Sequence, residues 1–497
     1  MTNLVALPIV LPLFAAAFSV VLGRWRAMQR LLCITTLTAT SVISVVLLVE
    51  VDRHGPVVVN AGGWAAPVGI ALVVDRLSAI MLVVSSLMLL TVLVYAIGQP
   101  GAERNHVGFQ SVYMILAAGV AGSFITGDMF NLFVSFEVML TASYVLLTLG
   151  GKREQVRSGM TYVVISLLAS ALFITALAFL YSATGTVNMA DLHLKIAELP
   201  SGLRSTFAVL LVVVFGVKAG LFPLYSWLPD SYPSAPSPVT AVFAGLLTKV
   251  GVYALIRSQT LLFPDDSRAA TVLLVGAAIT MVLGILGAIA QDDVKRILSF
   301  NIVSHIGFMV MGLGLFSVAG LAAAIFYAVH HILAMTTLFL VGGLIEHVGG
   351  SSRMSQLGNM VRSAPVVAVL FLIPALSLAG VPPLSGFVPK FGLIGAGFTD
   401  GQYVVVAASL VASLLTLYSV VKIWIGVFWS PATEPTGGAV HAVGRLGGPL
   451  LMVLPTAALF ALGLAVAGFA GPLYELCERT AGDLLDPRAY VEAVLGR

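Results

Sequence analysis

The sequence predicts an all-α membrane protein that crosses the bilayer about 14 times. Hydrophobic residues make up 59% of its 497 residues, and the mean hydropathy is +1.04. Only 9% of the residues are charged, against about 25% in ordinary soluble domains. So few charges cannot cover a soluble surface, which excludes a soluble enzyme, a nucleic-acid-binding protein and a disordered chain.

Each predicted span rests on a mostly apolar run of about 20 residues. Fourteen runs meet this criterion, at residues 3–23, 30–49, 72–97, 108–126, 130–149, 159–183, 205–226, 237–258, 269–289, 297–316, 319–344, 365–394, 403–429 and 447–470. The alternation that is typical of barrel strands does not occur between them. The first run has no basic residues before it, so we expect a retained span and not a signal peptide.

The distribution of basic residues predicts the orientation, because Lys and Arg favour cytoplasmic loops. Loops after odd-numbered runs contain Arg24, Arg26, Arg30, Arg104, Lys152, Arg153, Arg157, Lys295, Arg296, Arg353, Arg362 and Arg445. The opposite side, with the tail, contains Arg53, Arg76, Lys195, Arg204, Arg257, Arg268, Arg479, Arg488 and Arg497. We therefore expect a multi-pass protein of the cell membrane with both termini on the extracytoplasmic side.

The charged residues inside apolar runs include Glu137, Lys218, Lys249, Lys390 and Lys422. A charge at the centre of a span costs roughly 2.5–3.5 kcal/mol on insertion scales. Such residues could snorkel to the interface, form structural ion pairs or carry protons. Lys422 could equally well snorkel, but all five are candidate groups of a proton pathway.

Prolines predict that spans 7 and 12 are broken helices. Pro223 follows Lys218, and Pro382, Pro383 and Pro389 precede Lys390. Proline removes a backbone donor and interrupts a helix. Broken helices at membrane depth line cavities and build the ion sites of transporters.

Three histidines extend this set of ionisable residues. His305 lies in span 10, and His330 and His331 are adjacent in span 11. Histidine can exchange protons near neutral pH, so the three are candidate relay groups. Adjacent residues point about 100° apart on a helix, so we expect only one of His330 and His331 to face the pathway.

The ionisable residues recur at similar spacings, which predicts two repeats. Glu137 precedes Lys218 by 81 residues and His305 precedes Lys390 by 85, while Lys249 and Lys422 follow the two lysines by 31 and 32. Spans 4–8 and 9–13 would then be inverted five-helix repeats. The expected divisions are residues 1–107, 108–260, 269–430 and 447–497. In the implied mechanism, Glu137 holds a proton on Lys218 and then releases it toward Lys249.

Several longer motifs carry a family resemblance. They are Val217-Lys-Ala-Gly-Leu-Phe-Pro-Leu-Tyr-Ser-Trp-Leu-Pro-Asp230, Ala235-Pro-Ser-Pro-Val-Thr-Ala241, Gly245-Leu-Leu-Thr-Lys-Val-Gly-Val-Tyr253, Gln291-Asp-Asp-Val-Lys-Arg-Ile-Leu-Ser-Phe-Asn-Ile-Val-Ser-His-Ile-Gly307 and Ala379-Gly-Val-Pro-Pro-Leu-Ser-Gly-Phe-Val-Pro-Lys-Phe391. From about residue 70 to 430 the chain resembles the antiporter-like subunits of respiratory complex I and of Mrp-type cation/proton antiporters.

The resemblance implies 14 helices with inverted five-helix repeats. It implies a Glu137–Lys218 pair, a central Lys249, a terminal Lys390, and relay histidines at His305 and at His330 or His331. In one respect the chain departs from many relatives: Met335 stands where they carry a lysine, so His330, His331, Thr336 or water would have to connect Lys249 with Lys390.

The segment at residues 127–147, together with Lys390, most resembles D-type subunits of Mrp antiporters. This implies a non-enzymatic transporter subunit that moves protons within a multisubunit Na⁺/H⁺ antiporter. Its partners would be other subunits, protons, Na⁺ and membrane lipid, without nucleic acid, metal or cofactor. Since Glu137 stands alone beside a lysine, we expect Na⁺ to cross at least partly elsewhere.

Three other functions remain open at this stage. The chain could belong to a redox-driven proton pump, either complex I or a membrane hydrogenase. It could be a scaffold with an inactive pathway, which Met335 would explain, or an independent solute carrier. The tail, residues 472–497, could form an amphipathic helix on the membrane or against a partner, or remain solvated.

Overall fold

The computed structural model describes residues 2–100, 103, 108–151, 153–264, 266–431 and 449–496. Its helices are α1 Leu7–Val21, α2 Arg26–His54, α3 Arg76–Gly98, α4 Phe109–Ile125, α5 Met129–Thr148, α6 Arg153–Thr184, α7 Met189–Ala197, α8 Ser201–Ala219, α9 Trp227–Ser231, α10 Ser237–Val242, α11 Thr248–Leu262, α12 Ser267–Ile289, α13 Val294–Gly314, α14 Val318–Gly349, α15 Met360–Ser363, α16 Pro365–Ala379, α17 Phe387–Thr399, α18 Tyr403–Trp424, α19 Leu450–Gly468, α20 Ala470–Leu485 and α21 Arg488–Leu495.

The prediction of an all-α multi-pass membrane fold is confirmed. Twelve helical segments of the described chain are long and apolar enough to cross a membrane, and α4 and α16 are shorter apolar helices. Together these segments coincide with the fourteen predicted runs. The exact number of spans stays a prediction. Of the residues that predicted the orientation, Arg104, Lys152, Arg445 and Arg497 lie outside the described residues, as do residues 447 and 448.

Short polar side chains fix where several helices begin. The side chains of Asp75, Asp128, Asp266, Asp293 and Ser317 accept hydrogen bonds from first-turn amides of α3, α5, α12, α13 and α14. These amides have no partner within their own helix, so the caps supply the missing acceptors.

A small antiparallel hairpin lies between α2 and α3. Its strands are β1, Val57–Asn60, and β2, Ala71–Val74, and Val57 pairs with Val74. The sequence analysis did not predict these strands, because four residues are too few to show a period-two pattern.

The centre of the bundle contains α11, α13 and α14. A π-helical turn at Phe243–Leu247 joins α10 to α11. The apolar windows of the α10–α11 segment and of α14 are completely buried. Polar side chains on these helices are therefore enclosed by protein and do not face lipid.

Spans 7 and 12 are broken in similar ways. After α8, Gly220 has φ +84°, and the amides of Gly220 and Leu221 both donate to the Gly216 carbonyl at 2.9 Å. After α16, Gly380 has φ +90°, and its amide donates to the Leu376 carbonyl at 3.1 Å. Glycine adopts this left-handed conformation without a steric penalty, so it ends each half-helix.

The structure corrects one predicted break. Pro223, Pro382 and Pro383 lie in the non-helical stretches, as expected, whereas Pro389 lies in the first turn of α17. A first-turn amide has no helical acceptor, so proline is tolerated there and does not interrupt the helix.

The two lysines also lie on opposite sides of their breaks. Lys218 is in the last turn of α8, before the break, and Lys390 is in α17, after it. Their sequence spacing predicted equivalent positions for the two lysines, but the positions relative to the helix breaks differ. The inverted repeat itself stays a prediction.

The C-terminal tail is helical and packs on the chain's own surface. The Arg479 guanidinium pairs with Asp52 at 2.9 Å, α20 packs against α14, and α21 packs against α7 and β1. We name α20 and α21 together the C-terminal cover.

Candidate functional site

Glu137 and Lys218 are connected through a serine that the sequence analysis did not identify. Glu137 lies on α5, Lys218 on α8 and Ser170 on α6. The Ser170 hydroxyl donates to the Glu137 carboxylate, and the Lys218 ammonium donates to Ser170 Oγ at 2.9 Å. The predicted pair is therefore bridged by a hydroxyl that can rearrange when either charge changes.

Lys218 is buried, and it has polar and aromatic neighbours. Its ammonium also donates to the Ser166 carbonyl at 3.3 Å and lies 5.8 Å from the centroid of the Phe136 ring. A cavity of about 10 Å³ adjoins Lys218 and Ser166, a volume that can hold about one water.

A glycine lets the helix of Lys249 approach the helix of Lys218. A β-carbon at Gly251 would lie 2.6 Å from the backbone nitrogen of Ala219. The Lys249 side chain is fully buried, and its ammonium donates to the Ala244 carbonyl in the π-helical turn at 2.5 Å. The two lysine-bearing helices thus meet backbone to backbone at this level.

Three histidines and a tyrosine form a buried cluster beyond Lys249. His305 Nδ1 is hydrogen-bonded to the Tyr327 hydroxyl, and the rings of His305 and His331 are 5.2 Å apart between centroids. The Tyr327 ring lies 5.8 Å from His330 and 6.3 Å from His331. Both adjacent histidines lie near Tyr327, and the expectation that only one of them faces the pathway stays a prediction.

Two serines connect the cluster with the segment that carries Lys390. His330 Nδ1 is hydrogen-bonded to Ser385 Oγ at 2.9 Å, and Ser385 Oγ lies 3.1 Å from Ser377 Oγ. Lys390 donates to the Ala379 carbonyl at 3.1 Å and lies 4.8 Å from the Phe308 ring centroid. A cavity of about 20 Å³ adjoins His330, Ser377 and Ser385, which is room for a water.

Several buried nitrogen and oxygen atoms of the cluster and of Thr248, the residue before Lys249, have no hydrogen-bond partner within the described ranges. They are His305 Nε2, His330 Nε2, both ring nitrogens of His331 and Thr248 Oγ1. Buried polar groups normally have partners, and water supplies them where protein does not. These atoms are the positions at which water can complete a proton path.

Lys422 lies apart from these groups. Its ammonium donates to the carbonyls of Ile289 at 3.0 Å and Gln291 at 2.6 Å, and it pairs with Asp292 at 3.0 Å. Lys422 therefore binds the carboxyl end of α12 at the edge of the bundle, as expected for a snorkelling lysine.

Met335 is fully buried, and the histidine–tyrosine cluster fills the interval between Lys249 and Lys390.

Comparison with known proteins decides the family. Residues 126–416 match the family described as NADH:quinone oxidoreductase/Mrp antiporter, TM. The chain belongs to this family. The D-type subunit of the Na(+)/H(+) antiporter of Alkalihalophilus pseudofirmus is 42% identical over 497 residues, and the alignment covers 100% of both chains.

Two solved complexes contain chains that are similar to this one. A chain of the Mrp complex from Dietzia sp. DQ12-45-1b has a TM-score of 0.93 and 34% identity, with 100% of both chains covered. A chain of the membrane-bound sulfane sulfur reductase, an archaeal respiratory membrane complex, has a TM-score of 0.89 and 26% identity, with 99% of both covered. The family resemblance stated from the motifs is confirmed.

Three residues that hydrogen-bond the predicted groups were not predicted from the sequence: Ser170, Tyr327 and Ser385. Tyr327 could have been found, because it lies three and four residues before the two histidines and thus on their face of the helix. Ser385 stands in the Ala379–Phe391 motif, where no role was predicted for it. For Ser170 there was no signal, since the contact joins helices distant in sequence. Among the described residues, no group of three His, Cys, Asp or Glu side chains is placed to hold a metal.

The Ser170 bridge leads to a first prediction. We expect Ser170→Ala to slow proton transport about tenfold, because a hydrogen bond to a charged group contributes roughly 1.5–3 kcal/mol. Ser170→Thr keeps the hydroxyl and should retain most of the activity. The measurement is the initial rate of ΔpH dissipation in everted vesicles at matched expression. Equal rates for Ser170→Ala and wild type would show that the bridge plays no part in transport.

Proposed function

We propose that this chain is the proton-translocating subunit of a multisubunit Na⁺/H⁺ antiporter. The observation that carries the proposal is the buried row of ionisable groups, which runs from Glu137 and Lys218 through Lys249 to the histidines and Lys390. Full-length similarity to D-type antiporter subunits supports it. The other subunits of such a complex would be its partners.

The row suggests a charge-pair switch. With Ser170 between them, the Glu137 carboxylate favours the charged form of Lys218. When the hydroxyl turns away from either partner, Lys218 loses that stabilisation in a poorly solvated site and can pass its proton toward Lys249. The histidine–tyrosine cluster and its water then connect Lys249 with Lys390. Lys422 pairs with Asp292 at the edge of the bundle and lies outside the proposed pathway.

The Na⁺ path lies at least partly outside this chain in our proposal. Na⁺ prefers several oxygen ligands, whereas Glu137 is engaged by Ser170 and through it by Lys218. We further propose that the chain resides in the cell membrane with both termini on the extracytoplasmic side, because the larger share of loop Lys and Arg falls on the opposite side.

The second prediction tests this function in the whole complex. Everted vesicles carrying the complete complex are energised, and Na⁺-dependent ΔpH dissipation is measured for wild type, Glu137→Ala and Lys218→Ala. We expect dissipation in wild type and its loss in both variants, with normal assembly on immunoblots. Full activity in both variants would make the chain a scaffold.

A second function is favoured by one comparison. Similarity to a chain of an archaeal respiratory complex supports a redox-driven proton pump built on the same pathway. If the wild-type complex shows no Na⁺ response but pumps protons when an electron donor is added, that alternative replaces antiport.

A further inference from the structure

A polar cavity of about 80 Å³ lies between the carboxyl end of α11 and the C-terminal cover. Its lining includes Asp75, Arg257, Thr260, Asp483 and Tyr490. A cavity of roughly 10–15 Å³ holds one water, so a cavity of this size can hold several. It is separate from the cavities beside Lys218 and His330.

The charged groups around the cavity neutralise one another. Arg257 pairs with Asp75 at 2.6 Å. Arg76 pairs with Asp483 and, at 2.9 Å, with Asp52, which also pairs with Arg479. Each of these carboxylates is held by an arginine, so the wall provides poor ligands for Na⁺ while leaving space for water.

A stripe of polar side chains leads from the cavity toward Lys249. Lys249, Tyr253 and Arg257 are spaced four residues apart and so lie on one face of α11. The stripe spans eight residues, or about 12 Å. The Tyr253 hydroxyl donates to the Phe124 carbonyl at 2.6 Å, and Arg257 Nη2 lies 3.5 Å from that hydroxyl. An ion pair that only joined α11 to α3 would need neither this stripe nor a cavity.

The C-terminal cover closes the cavity. The Tyr490 ring of α21 lies 5.2 Å from the Arg257 guanidinium, and Tyr253 contacts the same guanidinium at 5.6 Å. In α20, Tyr474 packs on Phe326, next to Tyr327 of the buried cluster. The cover therefore contacts both the cavity and a helix that carries relay groups.

We propose that this cavity is an aqueous port through which Lys249 exchanges protons with the extracytoplasmic phase. The inference rests on the proposed function. A proton that enters the cavity as hydronium binds the Tyr253 hydroxyl as that hydroxyl passes its own proton inward to the neutral Lys249 amine. The hydronium becomes water and the amine becomes an ammonium. Arg257 stays charged throughout; it holds Asp75 and orients the water, and the port excludes Na⁺.

Cysteine labelling of the complete complex tests the port independently of transport. In a Cys33→Ala/Cys477→Ala background, Thr260→Cys is treated with a membrane-impermeant anionic methanethiosulfonate in right-side-out and in everted vesicles. Ser201→Cys, at the exposed start of α8, serves as the accessible control, and Thr416→Cys, buried on α18, as the inaccessible one. Should Thr260→Cys fail to assemble, Ala489→Cys at the same cavity replaces it.

We expect labelling from the extracytoplasmic side only, faster than at Thr416→Cys, with a severalfold loss of transport after labelling. Labelling from neither side, or only from the cytoplasmic side, would overturn the port. Labelling without loss of transport would leave a wet cavity outside the proton path and would also overturn it. If the wild-type complex shows no Na⁺-dependent transport, the antiport function fails, and labelling still shows whether the cavity opens outward.

Discussion

Replacing Lys249 with alanine is expected to abolish Na⁺-dependent ΔpH dissipation, down to the level of vesicles that lack the complex. Lys249 is fully buried on α11, between the Glu137–Lys218 end and the histidine cluster. Alanine leaves no titratable group at that position, so a proton would have to cross the gap without a carrier. The loss should exceed that of Ser170→Ala, which removes only a hydrogen bond.

Assembly should survive this change. Lys249 hydrogen-bonds the Ala244 carbonyl and forms no ion pair in the described structure, so its removal strands no opposite charge in the interior. The matched control is Lys422→Ala, which removes a lysine of similar sequence context from the edge of the bundle and should retain most of the activity. Near-normal transport by Lys249→Ala would refute the proposed pathway.

Replacing Arg257 with methionine is expected to cause the largest loss of stability. The substitution leaves Asp75 as an unpaired buried carboxylate, and breaking a buried ion pair in this way costs about 3–5 kcal/mol. It also removes the cation between the rings of Tyr253 and Tyr490. The measurement is the midpoint of thermal aggregation of the purified complex, followed by size-exclusion chromatography.

The companion variant distinguishes charge from packing. Asp75→Asn combined with Arg257→Met removes both charges, and asparagine can still cap α3. We expect the double variant to regain much of the lost stability. A double variant as unstable as Arg257→Met alone would show that the guanidinium acts by packing.

The Asp75–Arg257 pair also sets a pH range for this effect. Burial raises the pKa of the Asp75 carboxyl. The Arg257 charge and the hydrogen bonds from Ser78 and Arg257 lower this pKa by a larger amount, so it lies below its ordinary value of 3.8. The pair's stabilisation is therefore fully present above pH 3.8 and is lost as the pH falls through the lower folded-state pKa. The difference between wild type and Arg257→Met should persist at neutral pH.

The sequence predicted the elements that depend on local composition. Low charge and long apolar runs required transmembrane helices, because water-soluble alternatives could not hide so much apolar surface. Proline identified both helix breaks, since its backbone limits act without tertiary contacts. Pro389 was misjudged, because proline inside a first turn is identical in sequence to proline at a break.

Contacts between different helices could not be predicted from the sequence. Motifs and spacing selected Glu137, Lys218 and Lys249, but only packing placed Ser170 between the first two and Tyr327 among the histidines. Lys422 resembled the other lysines in sequence, but it lies on α18 and its ammonium binds the carboxyl end of α12, which separates it from them. The hairpin and the placement of the tail likewise depend on pairing partners that no local window contains.

By itself, the sequence determined that the chain is a helical membrane protein of an antiporter family with ionisable residues inside its spans, because composition, helix breakers and motifs are local properties. Only the tertiary structure decided which of those residues meet. A hydrogen bond depends on ångström-scale approach between helices, and that approach is set by glycine contacts such as Gly251 against Ala219. The cavity beneath the C-terminal cover, which has room for several waters, arises in the same way, from surfaces that are remote in sequence and adjacent in the fold.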